Sequence, residues 1–392
     1  MRKTIKRSST SPKIILIRNT FPKNYGGGET YQLALSKTLT DNHYHPIIFT
    51  SSSELFTNSQ KAKIDSQKAP FLKFQNWSGL KNFLLPLYIL WQCYLYFWYL
   101  YQFKQFKPQS IIIQSRDDWI AATLAANKLK IQVLWIDHMD FRSWVLQNVE
   151  QKYKNLIGKK ILKLANRVNR IIFISDFERY FFEKLIEKTP FRFFSNLITI
   201  KNGAIDSFKE YQNHTITPQS FIYLGRLEEY KGIKELISAF SQIAPEFPSA
   251  TLHIYGTGSL AYYCKNHQTT QIIYHGFTNQ PLEKIASNEI FVLASHIEGL
   301  SLSLIDATML GKPIVATNID GNPEIVQHEK NGFLVPARDI QSLIEVFRKL
   351  LSNPELIKTF SQASRKKYLK EFDFSKTIKE QLIPIIEGGN HV

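Results

Sequence analysis

The sequence predicts an α/β protein built from two doubly wound parallel-sheet domains. Three observations carry this prediction. Short apolar runs rich in Ile and Val alternate with segments of helical periodicity from residue 13 onward, the pattern of strands covered on both faces by crossover helices. The alternation runs through twice, separated by a polar, turn-rich stretch at 203–218. A chain of 392 residues, 44% hydrophobic, is long enough and apolar enough for two separate cores.

In the first series the strands are expected at 13–18, 45–50, 110–114, 133–137, 170–175 and 197–201. Each is a short apolar run such as Ile14-Ile15-Leu16-Ile17 or Ile111-Ile112-Ile113. The second series falls at 220–224, 251–255, 271–274, 290–294, 313–317 and 332–335. Between them lie amphipathic helices, for example 29–40, 232–243 and 340–351, whose apolar residues recur every three or four positions. The domains are therefore expected at 1–205 and 206–373, with 374–392 a C-terminal helix returning to the first domain. Open parallel sheets bind ligands at the carboxyl ends of their strands, so the expected site is a cleft between the two domains.

Composition narrows the function. Two cysteines, Cys93 and Cys264, supply neither a disulfide framework nor a paired metal-ligand spacing, which fits a reducing compartment. The basic N-terminus never reaches an apolar run of signal length, so no secretion is expected. The net charge of +16 is unevenly placed. Residues 1–205 hold 31 Lys and Arg against 13 Asp and Glu, whereas 206–392 hold 18 against 20. Such a field attracts polyanions. No helix-turn-helix, zinc finger or RNA-binding aromatic signature accompanies it, so an anionic membrane surface is expected as the partner and nucleic acid is not.

Two segments bear on that surface. From 83 to 103 there is no charged residue, and Pro86, Gln92, Gln102 and several tyrosines interrupt the apolar run. The segment is long enough to cross a bilayer, yet Tyr favours the headgroup level. A core helix with a partly exposed face, an interfacial helix and a spanning helix all remain open. The stretch 152–170 carries seven Lys and Arg and no acid, with Leu156, Ile157, Ile161, Leu164 and Ala165 at helical spacing. It is either a solvated face or a membrane contact.

The chemistry-bearing residues cluster in the second half. The run at 220–224 ends in Gly225-Arg226, and Lys231-Gly232 opens a helix. Arg226 and Lys231 thus stand at a strand's carboxyl end beside a helix N-terminus, where an anionic phosphate group is favoured. Further on, Glu298-Gly299 leads into a helix starting near Ser301, with Asp306 in its second turn. The free N–H groups around Leu300 to Ser303 form an anion site, and the carboxylates can accept hydrogen bonds from vicinal hydroxyls.

The order GR-x4-KG, IYGTGSL, HGF, E-x7-D, GKPIVAT, GNPEIV and NGFLV resembles family-4 retaining glycosyltransferases of the GT-B fold. Gly26-Gly27-Gly28-Glu29, His138 at the end of WIDH and the Asn202-Gly203 turn agree, so the likeness extends from about 13 to 386. It implies two Rossmann-like domains facing across a cleft and transfer from a UDP- or GDP-sugar.

The resemblance also implies residue roles. Arg226 and Lys231 would neutralise the donor diphosphate, with Gly27 and Gly28 letting the backbone approach closely. Glu298, with Gly299, Leu300 and Ser301, would hold the transferred sugar. Asp306 would take the ribose hydroxyls, although the family usually has Glu there and one methylene less shortens its reach. His138 would contact a hydroxyl near the reacting carbon. Glu298 is the single candidate nucleophile for a double displacement, whereas a front-face route needs no protein base. Asp117-Asp118 and Asp137-His138-Met139-Asp140 invite a metal reading, but a GT-B enzyme is expected to need neither metal nor cofactor. The acceptor is expected to be a lipid-linked or envelope glycan at the cytoplasmic face of the membrane. A nucleotide-sugar epimerase and a non-catalytic sugar-nucleotide-binding protein are the alternatives. A nicotinamide oxidoreductase ranks behind both, since no GxGxxG follows the first strand.

Overall fold

The structure, a computed structural model, describes residues 11–20, 26–72, 85–138, 156–187 and 196–388. Met139, Asp140, residues 83–84 and residues 152–155 of the segments singled out above lie outside them. The chain divides into two compact units. One takes the chain to Ile174, Glu178–Ile200 and the stretch from Ile378; the other takes Ser175–Phe177 and Lys201–Thr377.

The first unit is a seven-stranded sheet in the order β3-β2-β1-β4-β5-β6-β7, and every pairing is parallel. Its strands are β1 (Lys13–Ile17), β2 (His45–Thr50), β3 (Asp65–Lys68), β4 (Ser110–Ile113), β5 (Gln132–Asp137), β6 (Arg170–Phe173) and β7 (Leu197–Thr199). Its helices are α1 (Gly27–Asp41), α2 (Ser53–Lys61), α3 (Leu85–Phe106), α4 (Trp119–Lys128), α5 (Leu156–Ala165) and α6 (Asp176–Glu187). Ile14 to Ile17 and Ile111 to Ile113 are fully buried, as central strands covered on both faces must be. Apolar periodicity does not signal β3. It reads Asp-Ser-Gln-Lys, and only its pairing with β2 makes it a strand. Charges on such an edge discourage pairing with another chain.

The segment around 83–103 forms α3, which buries one stripe, Tyr88, Gln92, Leu95, Tyr99, Gln102 and Phe103, at helical spacing. The spanning alternative is overturned: among the described residues no helix is long and apolar enough to cross a membrane. Polar anchors in the stripe tie it to the domain. The Tyr99 hydroxyl donates to Asp118 Oδ1 at 2.7 Å, and Gln92 Nε2 donates to the Asp117 carbonyl at 3.1 Å. Asp118 also accepts from Asn19 Nδ2 at 3.0 Å and from the Ser115 hydroxyl at 2.5 Å. Its carboxyl is raised by burial, with those donors opposing the shift. Asp118 is therefore a buried joint between β1, α3 and α4. Near it, Trp119 and Trp135 stack with centroids 4.7 Å apart. The C-terminal stretch also belongs to this unit: Glu387 accepts from the Tyr44 hydroxyl at 2.9 Å, and Gln132 Nε2 donates to the Ile385 carbonyl at 2.7 Å.

The second unit is a six-stranded parallel sheet in the order β10-β9-β8-β11-β12-β13. Its strands are β8 (Thr217–Leu224), β9 (Thr251–Tyr255), β10 (Ile272–Gly276), β11 (Asn288–Leu293), β12 (Ile314–Thr317) and β13 (Gly332–Val335). Its longer helices are α7 (Ile233–Ile243), α8 (Leu302–Met309), α9 (Ile340–Leu351) and α10 (Pro354–Glu371). Phe221, Phe240 and Phe347 meet at the centre of the core, with Phe221 and Phe347 4.9 Å apart. In each unit the strand order reverses at one place, between β1 and β4 and between β8 and β11. Ligands of open α/β sheets bind at such switch points.

Candidate active site

In the second unit the loops after β8 and β11 converge. The chain leaves β8 through Gly225 and Arg226, makes a short 3-10 turn at Glu229–Lys231, and enters α7 through Gly232. Gly232 has φ +66°, and a Cβ there would lie 1.9 Å from the Ala294 carbonyl oxygen at the end of β11. Only glycine fits, because the backbone turns left-handed while pressed against the neighbouring strand. The two loops are also joined by the His296 N–H, which donates to the Tyr230 carbonyl at 2.7 Å.

This packing brings Lys231 onto Glu298. Their side chains, 14% and 9% exposed, form an ion pair with Nζ and Oε1 2.5 Å apart. The Ser295 hydroxyl donates to the same carboxylate oxygen at 2.7 Å, and the Glu298 N–H donates to Asp320 Oδ2 at 2.9 Å. Lys231 is therefore not an open cation standing alongside Arg226, the arrangement that their spacing invites. Arg226 is exposed and, among the described residues, meets no carboxylate within ion-pair distance. Its guanidinium lies 5.7 Å from the centre of the Tyr230 ring, which also carries Lys231 Nζ at 5.3 Å. One aromatic ring thus steadies both cations at the carboxyl end of β8.

Gly299, Leu300 and Ser301 are buried and lead into α8. Ser301 is its N-cap, accepting from the Leu304 N–H. The earlier N–H groups of the helix lack partners within it, so this end favours negative charge. Asp306 is half-buried in the second turn, and burial pushes its carboxyl up to about 7. Among the described residues no cation pairs with it to offset that burial, so the group is suited to accept hydrogen bonds from ligand hydroxyls. Asp320, Ser295 and Tyr230 are the supporting residues that motif spacing misses. The Asp320-Gly321 turn after β12 was their one available sign.

The first unit has its own cluster at the carboxyl ends of β1 and β5. Gly27 and Gly28 are the first two residues of α1, and Gly26 N–H donates to Glu29 Oε2 at 2.9 Å. A Cβ on Gly28 would lie 2.2 Å from Arg18 Nη2, so the glycine makes room for a guanidinium. Arg18, at the end of β1, pairs with Glu29 at 3.0 Å. His138 follows β5. Its Nε2 lies 3.2 Å from Gln114 Oε1, and its ring meets Tyr31 edge-on at 5.0 Å. Gln114 donates its own amide to Gln32. The histidine therefore donates from Nε2 and keeps Nδ1 as an acceptor. Burial, with a lesser contribution from the Arg18 charge, pushes His138 down to about 3, so the ring is neutral near pH 7. Arg18 was not singled out from sequence, since an arginine ending a strand is unremarkable. Among the described residues no three His, Cys, Asp or Glu side chains are grouped to hold a metal ion.

Two parallel α/β units, each carrying polar groups at its switch point, define the GT-B class of glycosyltransferase fold. The model of "Glycosyltransferase Family 4" matches residues 25–199, and that of "Glycosyl transferases group 1" matches 205–367. The chain belongs to the family-4 type of GT-B glycosyltransferases. It is 25% identical over 294 residues to an uncharacterized glycosyltransferase of Haemophilus influenzae, covering 71% of this chain and 76% of that protein. It is 23% identical to the poly(ribitol-phosphate) alpha-N-acetylglucosaminyltransferase of Staphylococcus aureus, over 57% of this chain and 45% of that protein. Other curated relatives are matched over about half of their own length or less. Among solved structures, Anabaena HepE in complex with UDP and glucose superposes with a TM-score of 0.71 at 18% identity, covering 96% of this chain and 99% of that one. At that identity the likeness speaks for the fold.

Proposed function

We propose that the protein is a retaining glycosyltransferase that moves a sugar from a UDP- or GDP-sugar to a lipid-linked or envelope glycan at the cytoplasmic face of the membrane. The observation that carries the reading is the Lys231–Glu298 pair, held by Ser295 and flanked by the open Arg226 at the β8/β11 switch point. Departure of the nucleoside diphosphate is the hard step, and cations placed where its charge develops lower that barrier. Arg226 grips the diphosphate through its planar fork, and Lys231 adds a point charge with the donors that Glu298 leaves. Side chains supply this charge without a metal. Glu298 and the backbone of Gly299 to Ser301 hold the sugar, and Asp306 accepts from the ribose hydroxyls. From the first unit, His138 offers its acceptor Nδ1 to a sugar hydroxyl near the reacting carbon, while Gly27 and Gly28 let the backbone come close.

The sugar C1–O bond to the diphosphate breaks as the acceptor oxygen bonds to C1 on the same face. The acceptor's proton passes to the departing diphosphate, so no protein base is required. The fold, the family and the S. aureus relative that acts on poly(ribitol-phosphate) support this reading. The basic first half and the apolar face of α3 support the membrane location.

The test is nucleotide release by purified protein from a panel of UDP- and GDP-sugars without added metal. Release from one donor, reduced about 100-fold or more in Arg226→Ala and Glu298→Ala, is expected from losing a group that stabilises developing charge. Release unaffected by both substitutions would refute the assignment. Conversion of the donor sugar into its epimer without release would identify an epimerase instead.

A further inference from the structure

A groove of about 590 Å³ lies in the first unit between α3, α4 and α5. Tyr88, Cys93, Phe97, Ile120 and Ile157 are among its apolar walls, and Lys160 stands at its lip. Gln92 also lines it; its Nε2 is engaged with the Asp117 carbonyl, and its buried Oε1, without a hydrogen-bond partner among the described residues, is the one polar atom it leaves. Such a lining gives a polar ligand little to bond, whereas a hydrocarbon chain loses nothing by entering. At roughly 30 Å³ per water-sized group, the space suits a chain of roughly twenty carbons.

Its position says which chain. The lining includes Ile120 in the first turn of α4, which follows β4, and Gln92, which is bonded to the Asp117 carbonyl in the turn just before it. In a parallel sheet those turns lie at the carboxyl ends of the strands. The groove therefore opens at the end of the sheet where Gly27, Gly28 and His138 stand. Outside it, α3 exposes Leu87, Leu90, Tyr94 and Tyr101, each more than half exposed, so apolar and aromatic side chains continue from the groove onto the helix surface. At the lip, Lys160 adds positive charge, and the whole first half of the chain is basic. An apolar slot with a cationic mouth is complementary to a long chain ending in a phosphate.

We propose that this groove binds the hydrocarbon tail of the acceptor, a lipid with one long alkyl or isoprenyl chain carrying a phosphate at its head. Lys160 meets the phosphate, and the saccharide beyond it points toward the switch point of the first sheet. The proposal rests on the transferase reading, because it assigns the acceptor of that reaction.

Cys93 lines the groove and is exposed, whereas Cys264 is buried in the other unit, so maleimide labelling of Cys93 reports occupancy in the intact protein. Farnesyl phosphate, added without any donor, is expected to slow that labelling about tenfold. Glycerol phosphate should leave it unchanged. Phosphatidylglycerol vesicles should slow it less than farnesyl phosphate does. Phe97→Ser, at a position 66% exposed where folding is undisturbed, should abolish the protection. Lys160→Ala should raise the half-protecting concentration about fivefold, as expected for one cation near a phosphate. Both variants should keep wild-type nucleotide release from the donor, so failure of this proposal is separable from failure of the transferase reading.

Unchanged labelling at saturating farnesyl phosphate would overturn the proposal. So would equal protection by vesicles alone, which would mean that the face of α3 lies in the bilayer without holding a tail. A Cys93 that resists labelling in the free protein would also overturn it, because the chain would then cover its own groove.

Discussion

Breaking the Lys231–Glu298 pair should damage folding and chemistry by different amounts. The two side chains are mostly withdrawn from water, and the contact is short. Removing one member of such a pair leaves a charge buried without its partner, a loss of about 3 kcal/mol or more. Among the described residues, Lys231→Ala leaves Glu298 with only the Ser295 hydroxyl on its carboxylate. At about 2–4 °C per kcal/mol for a domain of this size, that lowers the melting temperature of the second unit by roughly 6–12 °C. Glu298→Gln keeps an acceptor for Ser295 and Lys231 and should cost less than half as much. In Lys231→Ala/Glu298→Ala both charges are gone, so the loss should fall well short of the sum of the single losses. Differential scanning calorimetry of the four proteins supplies the cycle. A Lys231→Ala variant melting within 1 °C of wild type, or strictly additive losses, would refute the inference that the pair is made and buried. Donor turnover should fall in every variant, including the double one, since the diphosphate loses a cation or the sugar its carboxylate.

Other consequences follow from single positions. Gly232→Ala forces a Cβ against the Ala294 carbonyl at positive φ, so thermal stability should fall by several degrees and nucleotide binding with it; calorimetry and titration with a nucleoside diphosphate check both. Asp306 is held neutral by burial up to about pH 7, whereas in the unfolded chain it ionises near its ordinary value of 3.8. Its contribution therefore makes the free protein less stable as pH rises from about 4 to 7, and Asp306→Asn should remove that part of the slope in melts across this range. His138 has the opposite profile, since its folded-state value of about 3 lies below the 6.5 of the unfolded chain. Stability is lost as pH falls from 6.5 toward 3, and His138→Gln should flatten that acid limb while slowing nucleotide release. Gly28→Ala drives a methyl group into Arg18 and should cut donor turnover more than it lowers the melting temperature, as steady-state rates beside melts will show.

Much of the architecture was legible because central parallel strands must be apolar on both faces. Runs such as 13–18 and 290–294 could hardly be anything else. The failure at β3 has the converse cause: an edge strand can be polar throughout, and its pairing with β2 leaves no trace in local periodicity. In α3 local periodicity carries too little contrast, since both the buried stripe and the exposed face are apolar. Its polar anchors, Gln92 and Tyr99, distinguish the two faces only once Asp117 and Asp118 are seen beneath them. At the candidate site, Arg226, Lys231 and Glu298 announced themselves by charge at strand ends. Asp320 did not, because its contact with Glu298 exists only where the loops after β11 and β12 converge, and Ser295, three residues before Glu298, meets it only through the turn of that one loop.

The central claim is that Arg226 and Lys231 form a diphosphate site at the β8/β11 switch point. Titration of the intact protein with UDP, GDP and the corresponding monophosphates tests it directly. The account predicts that one diphosphate binds at least tenfold more tightly than its monophosphate, and that Arg226→Ala abolishes this preference while leaving monophosphate affinity nearly unchanged. Equal affinity for diphosphate and monophosphate in the wild type, or a preference that survives Arg226→Ala, would contradict it.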